Sequence, residues 1–187
     1  MKQEQKLGIN ANAGARAGAQ VLGVVVLKNH YKVIARDKFG RIKWIEEFDN
    51  LVPNDGLNDS LDKHLKGSSY TAAWYVGLTD GTPTPAAGDT MSSHAGWTEV
   101  TAYDEANRQT LTLGSVSGQS VDNVGNEAVF TISSDSTTIG GCFITSDNTK
   151  GGTTGVLYAV GAFTAGDKSL DDNDTLTVTV TCTASAS

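Results

Sequence analysis

Within the stretch GDTMSSHAGWTE, Gly88 to Glu99, a histidine, a tryptophan and two acids stand among small residues. His94 and Glu99 are side chains of the kind that serve general acid–base chemistry, an imidazole titrating near neutrality beside a carboxylate. A reaction needs more: a nucleophile, oxyanion donors or a phosphate loop, and no such motif accompanies the pair. The same stretch has structural uses. Asp89 is placed to cap a short helical turn through Met91 and Ser93, Gly96 to reverse the chain, and Trp97 to plug the end of a β-sandwich. Ser92, Ser93 and Ala95 permit close approach of another backbone. Because the structural reading employs more of these residues, the stretch is expected to be a plug or subunit contact. His94 and Trp97 are then partner-binding residues, and no residue is catalytic.

The other chemical motifs are weaker still. GSVSG, Gly114 to Gly118, is one residue out of register for a nucleophile elbow, which needs serine where Val116 stands. DDND, Asp171 to Asp174, lacks the glycine and terminal glutamate of an EF-hand loop and reads as a solvated turn. His30, His64 and His94 show no zinc-ligand spacing. Neither metal nor cofactor is expected.

The elements that must carry these residues are mostly strands. Gly, Thr and Ser are plentiful while the usual helix formers are thin. HYKVIAR and RIKWIEEF flank Asp37-Lys38-Phe39-Gly40, whose ends suit a type I turn, so a hairpin is expected over about residues 30–48. In NDGLNDSLDKHLKG, leucines 57, 61 and 65 recur every fourth residue, Asn54 or Asp55 offers an N-cap and Gly67 a stop. That predicts one helix over about 55–66. AAWYVGLTDGTPT reads as a buried strand ending at Asp80-Gly81. TEVTAY, RQTLTLGSVSG, NEAVFTIS, TTIGGCFITS, GVLYAVGAF and TLTVTVTCTA follow as short strands between Gly/Asn/Asp/Ser turns. The expected fold is mainly β: an antiparallel β-sandwich or jelly-roll-like barrel with one short helix and an extended N-terminal arm. Residues 1–27 form the arm and a lead-in strand, and 28–187 the sandwich domain.

Charge is uneven. The chain carries a net −7, yet residues 1–43 hold nine Lys/Arg against Glu4 and Asp37, a net +7 that leaves −14 on the rest. Such asymmetry suits an N-terminal part that meets an acidic neighbour or neutralises its own acidic body, so Lys2, Lys6 and Arg16 are candidate partner-binding residues. Residues 1–20, rich in Gly, Ala, Asn and Gln without apolar period, are expected to order only against a partner. Lys28-Asn29-His30 after the apolar run argues against a signal peptide, and no stretch of 18 apolar residues predicts a membrane span. Cys142 and Cys182 read as buried free thiols of a reducing cytosol, a single disulfide being the alternative.

Residues 28–113 together resemble a family of tailed-bacteriophage virion structural proteins encoded among the head and tail genes. The resemblance rests on a hairpin and helix pattern at Asp37, Gly40, Trp44, Glu46 or Glu47, Asn50, Val52 and Gly56. It continues in Tyr75 to Leu78 and in the long motif from Ala87 to Glu99. It implies a non-enzymatic virion protein assembled in the host cytoplasm. Its partners would be the major capsid protein or other virion proteins and its own copies in a dimer or trimer, with no nucleic acid or membrane. Capsid decoration (cement) is the leading role, a head–tail connector or tail component the alternative. A carbohydrate-binding sandwich, with Trp44, Trp74 and Trp97 as a sugar platform, is the reading from another class.

Overall fold

The alternating segments become eleven strands and one helix among residues 25–70 and 73–186, which the computed structural model describes. β1 (Val25–Arg36) and β2 (Ile42–Asp49) are the expected hairpin. Its turn closes with the Gly40 N–H donating to the Asp37 carbonyl at 2.8 Å and the Phe39 N–H donating to the Asp37 carboxylate at 2.9 Å. Gly40 takes the left-handed conformation, φ 79°, at the turn's last position. β1 runs unbroken across the expected boundary at residues 27/28, so the lead-in and the domain share one strand.

Next come α1 (Asn54–His64), β3 (Tyr75–Thr79), β4 (Gln109–Thr110), β5 (Ser120–Asp122) and β6 (Ala128–Thr131). The chain ends with β7 (Thr137–Ile139), β8 (Gly141–Thr145), β9 (Leu157–Ala162), β10 (Lys168–Leu170) and β11 (Thr175–Ala186). One sheet runs β2-β1-β11-β5, with β6 also pairing β11. A second runs β4-β3-β8-β9, and β10 pairs β7 separately. Every pairing is antiparallel. The long β1/β11 ladder, from Val25 opposite Ala186 to Arg36 opposite Thr175, is the spine.

Period two decides what is buried. Tyr31, Val33 and Ala35 of β1 and Leu176, Val178 and Val180 of β11 meet Val76 and Leu78 of β3 and Cys142 and Ile144 of β8 in one core between the two large sheets. This is the mainly β, sandwich-like fold that the sequence pattern predicts.

Two local expectations are corrected, and the helix shows an unusual rotation. TEVTAY is no strand: Glu99 and Tyr103 make single bridges to Thr79 and Ile132, because the chain crosses between sheets there. Pro53 occupies the helix N-cap with no side-chain cap bond, and Asp55 spends its carboxylate instead on the Leu157 N–H at 2.8 Å. The leucine repeat of α1 does not face the core. Gly56 is the buried residue of α1, and a Cβ added to it would lie 2.5 Å from the Tyr158 carbonyl oxygen. Backbone contact at that glycine fixes which side of the helix meets β9 and turns Leu57, Leu61 and Leu65 outward.

Candidate functional site

The Gly88–Glu99 stretch lies on the outer face of the second sheet. In β8, Cys142 and Ile144 point into the main core, so Phe143 points out, where it joins Met91, Trp97, Leu157 and Val160 in a second apolar cluster. That layer explains why all five residues of β8 are buried. Trp97 therefore covers a sheet face; it does not plug the end of the sandwich. Its ring centroid stands 5.2 Å from that of Phe143. Gly77 makes room for the Phe143 ring, since a Cβ there would fall 2.2 Å from it.

Short polar bonds hold the stretch in place. The Ala86 N–H donates to the Asp89 carboxylate at 2.9 Å, and Thr90 and Ser93 close a tight turn on each other's backbone, so the expected helical turn after Asp89 is a bridged turn. Gly96 reverses the chain with φ 85°. Beyond Trp97, the Thr98 N–H donates to the Asp80 carboxylate at 2.8 Å and the Val100 N–H to the Leu78 carbonyl at 2.9 Å, fastening the segment beside β3.

His94 and Glu99 border one concavity of about 260 Å³ with Met91, Trp97, Gly151 and Thr153. They do not work on each other. The His94 ring stacks on Trp97, centroids 3.6 Å apart and planes 7° apart. Burial pushes its imidazole below the ordinary value, with Asp89's charge and the Trp97 backbone pulling the other way. His94 Nδ1 and Trp97 Nε1 have no hydrogen-bond partner among the described residues. Glu99 accepts from Arg108 Nε at 2.8 Å, from Arg108 Nη2 at 2.7 Å and from the Gly151 N–H at 2.8 Å. Three of the carboxylate's four lone-pair positions are thus filled by the protein itself.

Arg108 is the residue that sequence reasoning missed. Its side chain is fully buried and also donates to the carbonyls of Asp147 at 2.8 Å and Gly152 at 2.6 Å, while its guanidinium lies 5.3 Å from the Phe143 ring centroid. It ties the 147–152 loop to the Glu99 segment. A signal existed: Arg108 is the single Lys or Arg between Lys66 and Lys150.

The remaining candidates fall elsewhere. Lys2, Lys6 and Arg16 lie outside the described residues. Part of the basic excess is answered within the hairpin and its neighbours, by Lys32 on Glu47, Arg41 on Asp37 and Lys43 on Asp171 and Asp174. DDND is consequently less solvated than expected, because Asp174 is buried and accepts from Lys43 Nζ at 2.6 Å and the Asp171 N–H at 2.9 Å. GSVSG leads into a two-residue turn in which Gly118 and Gln119 have φ 57° and 61° and Ser117 and Ser120 exchange backbone hydrogen bonds, as in a type I′ hairpin. Trp44 packs on Phe163, Trp74 on Tyr158 and Trp97 on Phe143, three separate contacts and no common platform. Cys142 and Cys182 are free thiols, the first buried and the second half-buried. Among the described residues, no group of three or more His, Cys, Asp or Glu is arranged for a metal, and no helix is long and apolar enough to cross a membrane. Comparisons with protein-family models, curated proteins and solved structures found no match for this chain.

Proposed function

We propose that the chain is a structural subunit of a tailed-phage virion, with capsid decoration as its role and the major capsid protein as its partner. One observation carries the reading: the motif residues from Ala87 to Glu99 are spent on architecture. Asp89 holds the Ala86 backbone, Trp97 covers Phe143, and Glu99 is closed in by Arg108 and Gly151. A motif used this way builds a rigid outer layer on a sheet, which suits a protein whose work is to present a surface. The sugar-platform reading loses support from the separation of the three tryptophans, and acid–base chemistry from the engagement of Glu99. A head–tail or tail position uses the same kind of rigid subunit and is separated by location.

The test is to add the purified chain to phage shells lacking it and to image the product. Regular density on the shell exterior is the expected result. Density confined to the portal vertex or tail moves the chain to the alternative position, and absence from particles overturns the virion reading.

A further inference from the structure

The outward leucines of α1 border a groove. Leu57 is 41%, Leu61 56% and Leu65 81% exposed, and with Leu27, Ser60 and His64 they line a hollow of about 400 Å³ between the helix and the start of β1. β2 pairs β1 only from His30 onward, which leaves the flank of Leu27 to this groove. The apolar surface continues on both sides. Ser60 and His64 also border a hollow containing Tyr70 and Leu113, and Leu27 borders another that reaches Val116, itself 75% exposed. Surface of this extent and continuity marks an interaction site.

The charges along α1 indicate what fits there. Asp55, held by the Leu157 N–H, and Asp59 give the start of α1 two negative charges, while at its end Lys63 and Lys66 outweigh Asp62, which pairs with them at 3.6 Å and 2.9 Å, by one positive charge. A second α1 laid antiparallel sets the acidic start against this net positive end twice over and opposes the two helix dipoles. Leucines at intervals of four are self-complementary in that arrangement, since a two-fold axis beside Leu61 places Leu57 of each copy opposite Leu65 of the other. The helix pair alone, each about 16 Å long, is smaller than the roughly 1,000 Å² that a specific interface needs. The groove beside Leu27 supplies the rest by receiving the partner's leucines.

We infer that this face is a self-association surface: two copies of the chain pair through antiparallel α1 helices across a two-fold axis at Leu61. The inference stands on the α1 face and does not require the virion reading.

Sedimentation velocity of the purified full chain, in the absence of any particle, is the first measurement. It should give twice the chain mass, and Leu61→Glu should raise the dissociation constant by at least about thirtyfold with the circular dichroism spectrum unchanged. Disulfide trapping then tests the register. Leu61→Cys should cross-link to itself under mild oxidation, whereas Leu57→Cys and Leu65→Cys should cross-link efficiently only when mixed. The native thiols interfere little, because burial raises both, Cys182 to about 11. A monomer at all concentrations overturns the inference; it is the result expected if the chain's own residues 1–24 cover the leucines. A dimer indifferent to Leu61→Glu, or efficient self-linking at 57 and 65 in place of 61, overturns it too.

Discussion

His94 lies flat on Trp97, their ring centroids 3.6 Å apart, and Trp97 leans in turn on Phe143 of the second sheet. The stack makes Trp97 the middle layer of a cluster on the outer sheet face, and Trp97 itself is 6% exposed. Trp97→Ala should therefore lower unfolding stability by about 3–5 kcal/mol, the range for truncating a large buried aromatic. Urea denaturation checks it. A change below about 1 kcal/mol contradicts the packing role.

The same stack makes stability depend on pH. Burial keeps the folded His94 imidazole below its ordinary value of 6.5, so the unfolded chain protonates first as the solution is acidified. The unfolded state then binds more protons. The His94 contribution is whole above about pH 6.5, falls as pH drops towards the folded value and levels off beneath it. His94→Phe keeps a ring on Trp97 without the titration, and should flatten the urea midpoint between about pH 7 and about pH 5. Equal slopes in the two proteins would remove the linkage. Asp147, held at about 2 chiefly by the Thr154 hydroxyl and the Thr149 N–H, gives up its own contribution only in stronger acid, so the two windows separate.

Much of this architecture is legible in the sequence, and the reasons for success and failure differ by residue. The β1/β2 hairpin and the last strand are read correctly because one buried face leaves a clean alternation, as in Leu176, Val178 and Val180. Phe143 and Trp97 show where that signal stops. β8 is covered on both faces, so its five residues carry no alternation to read, and the segment that covers it is irregular backbone held by Asp80 and Asp89. The outward turn of α1 is equally hidden, because a glycine contact sets the helix's rotation against the usual rule that leucine stripes face inward. In the candidate site, His94 and Trp97 were visible as an unusual pair. The commitment of Glu99 depends on Arg108, nine residues away and joined to it only by the fold.

The glycine contact yields a substitution whose sign is decided by geometry. In an exposed helix, Gly→Ala gains about 1 kcal/mol from propensity. At Gly56 the added methyl meets the Tyr158 backbone at 2.5 Å, a neighbour that cannot rotate away. Overpacking of about 1–3 kcal/mol exceeds the gain, so Gly56→Ala should destabilise. An increase in melting temperature would show that α1 is not seated by this contact.

The Arg108–Glu99 pair separates the structural from the chemical reading of the site. Arg108→Ala removes a fully buried guanidinium and leaves Glu99, whose side chain is 8% exposed, without its counter-charge, while two carbonyls lose their donors. Breaking a buried pair by removing one partner typically costs about 3–5 kcal/mol, and a loss of that order is expected in chemical denaturation. Glu99→Ala should be milder, because Arg108 keeps the carbonyls of Asp147 and Gly152 as acceptors. The double variant should lose clearly less than the sum of the two singles, by about 1–3 kcal/mol, since neither charge is then stranded by the loss of the other. Strict additivity would mean that the two side chains do not stabilise one another. If Glu99 instead served as a base towards a bound substrate, Glu99→Gln would leave the denaturation curve in place and abolish turnover of that substrate. Its three donors point to the opposite result, a shifted curve, since the amide nitrogen of a glutamine cannot accept from Arg108 or Gly151.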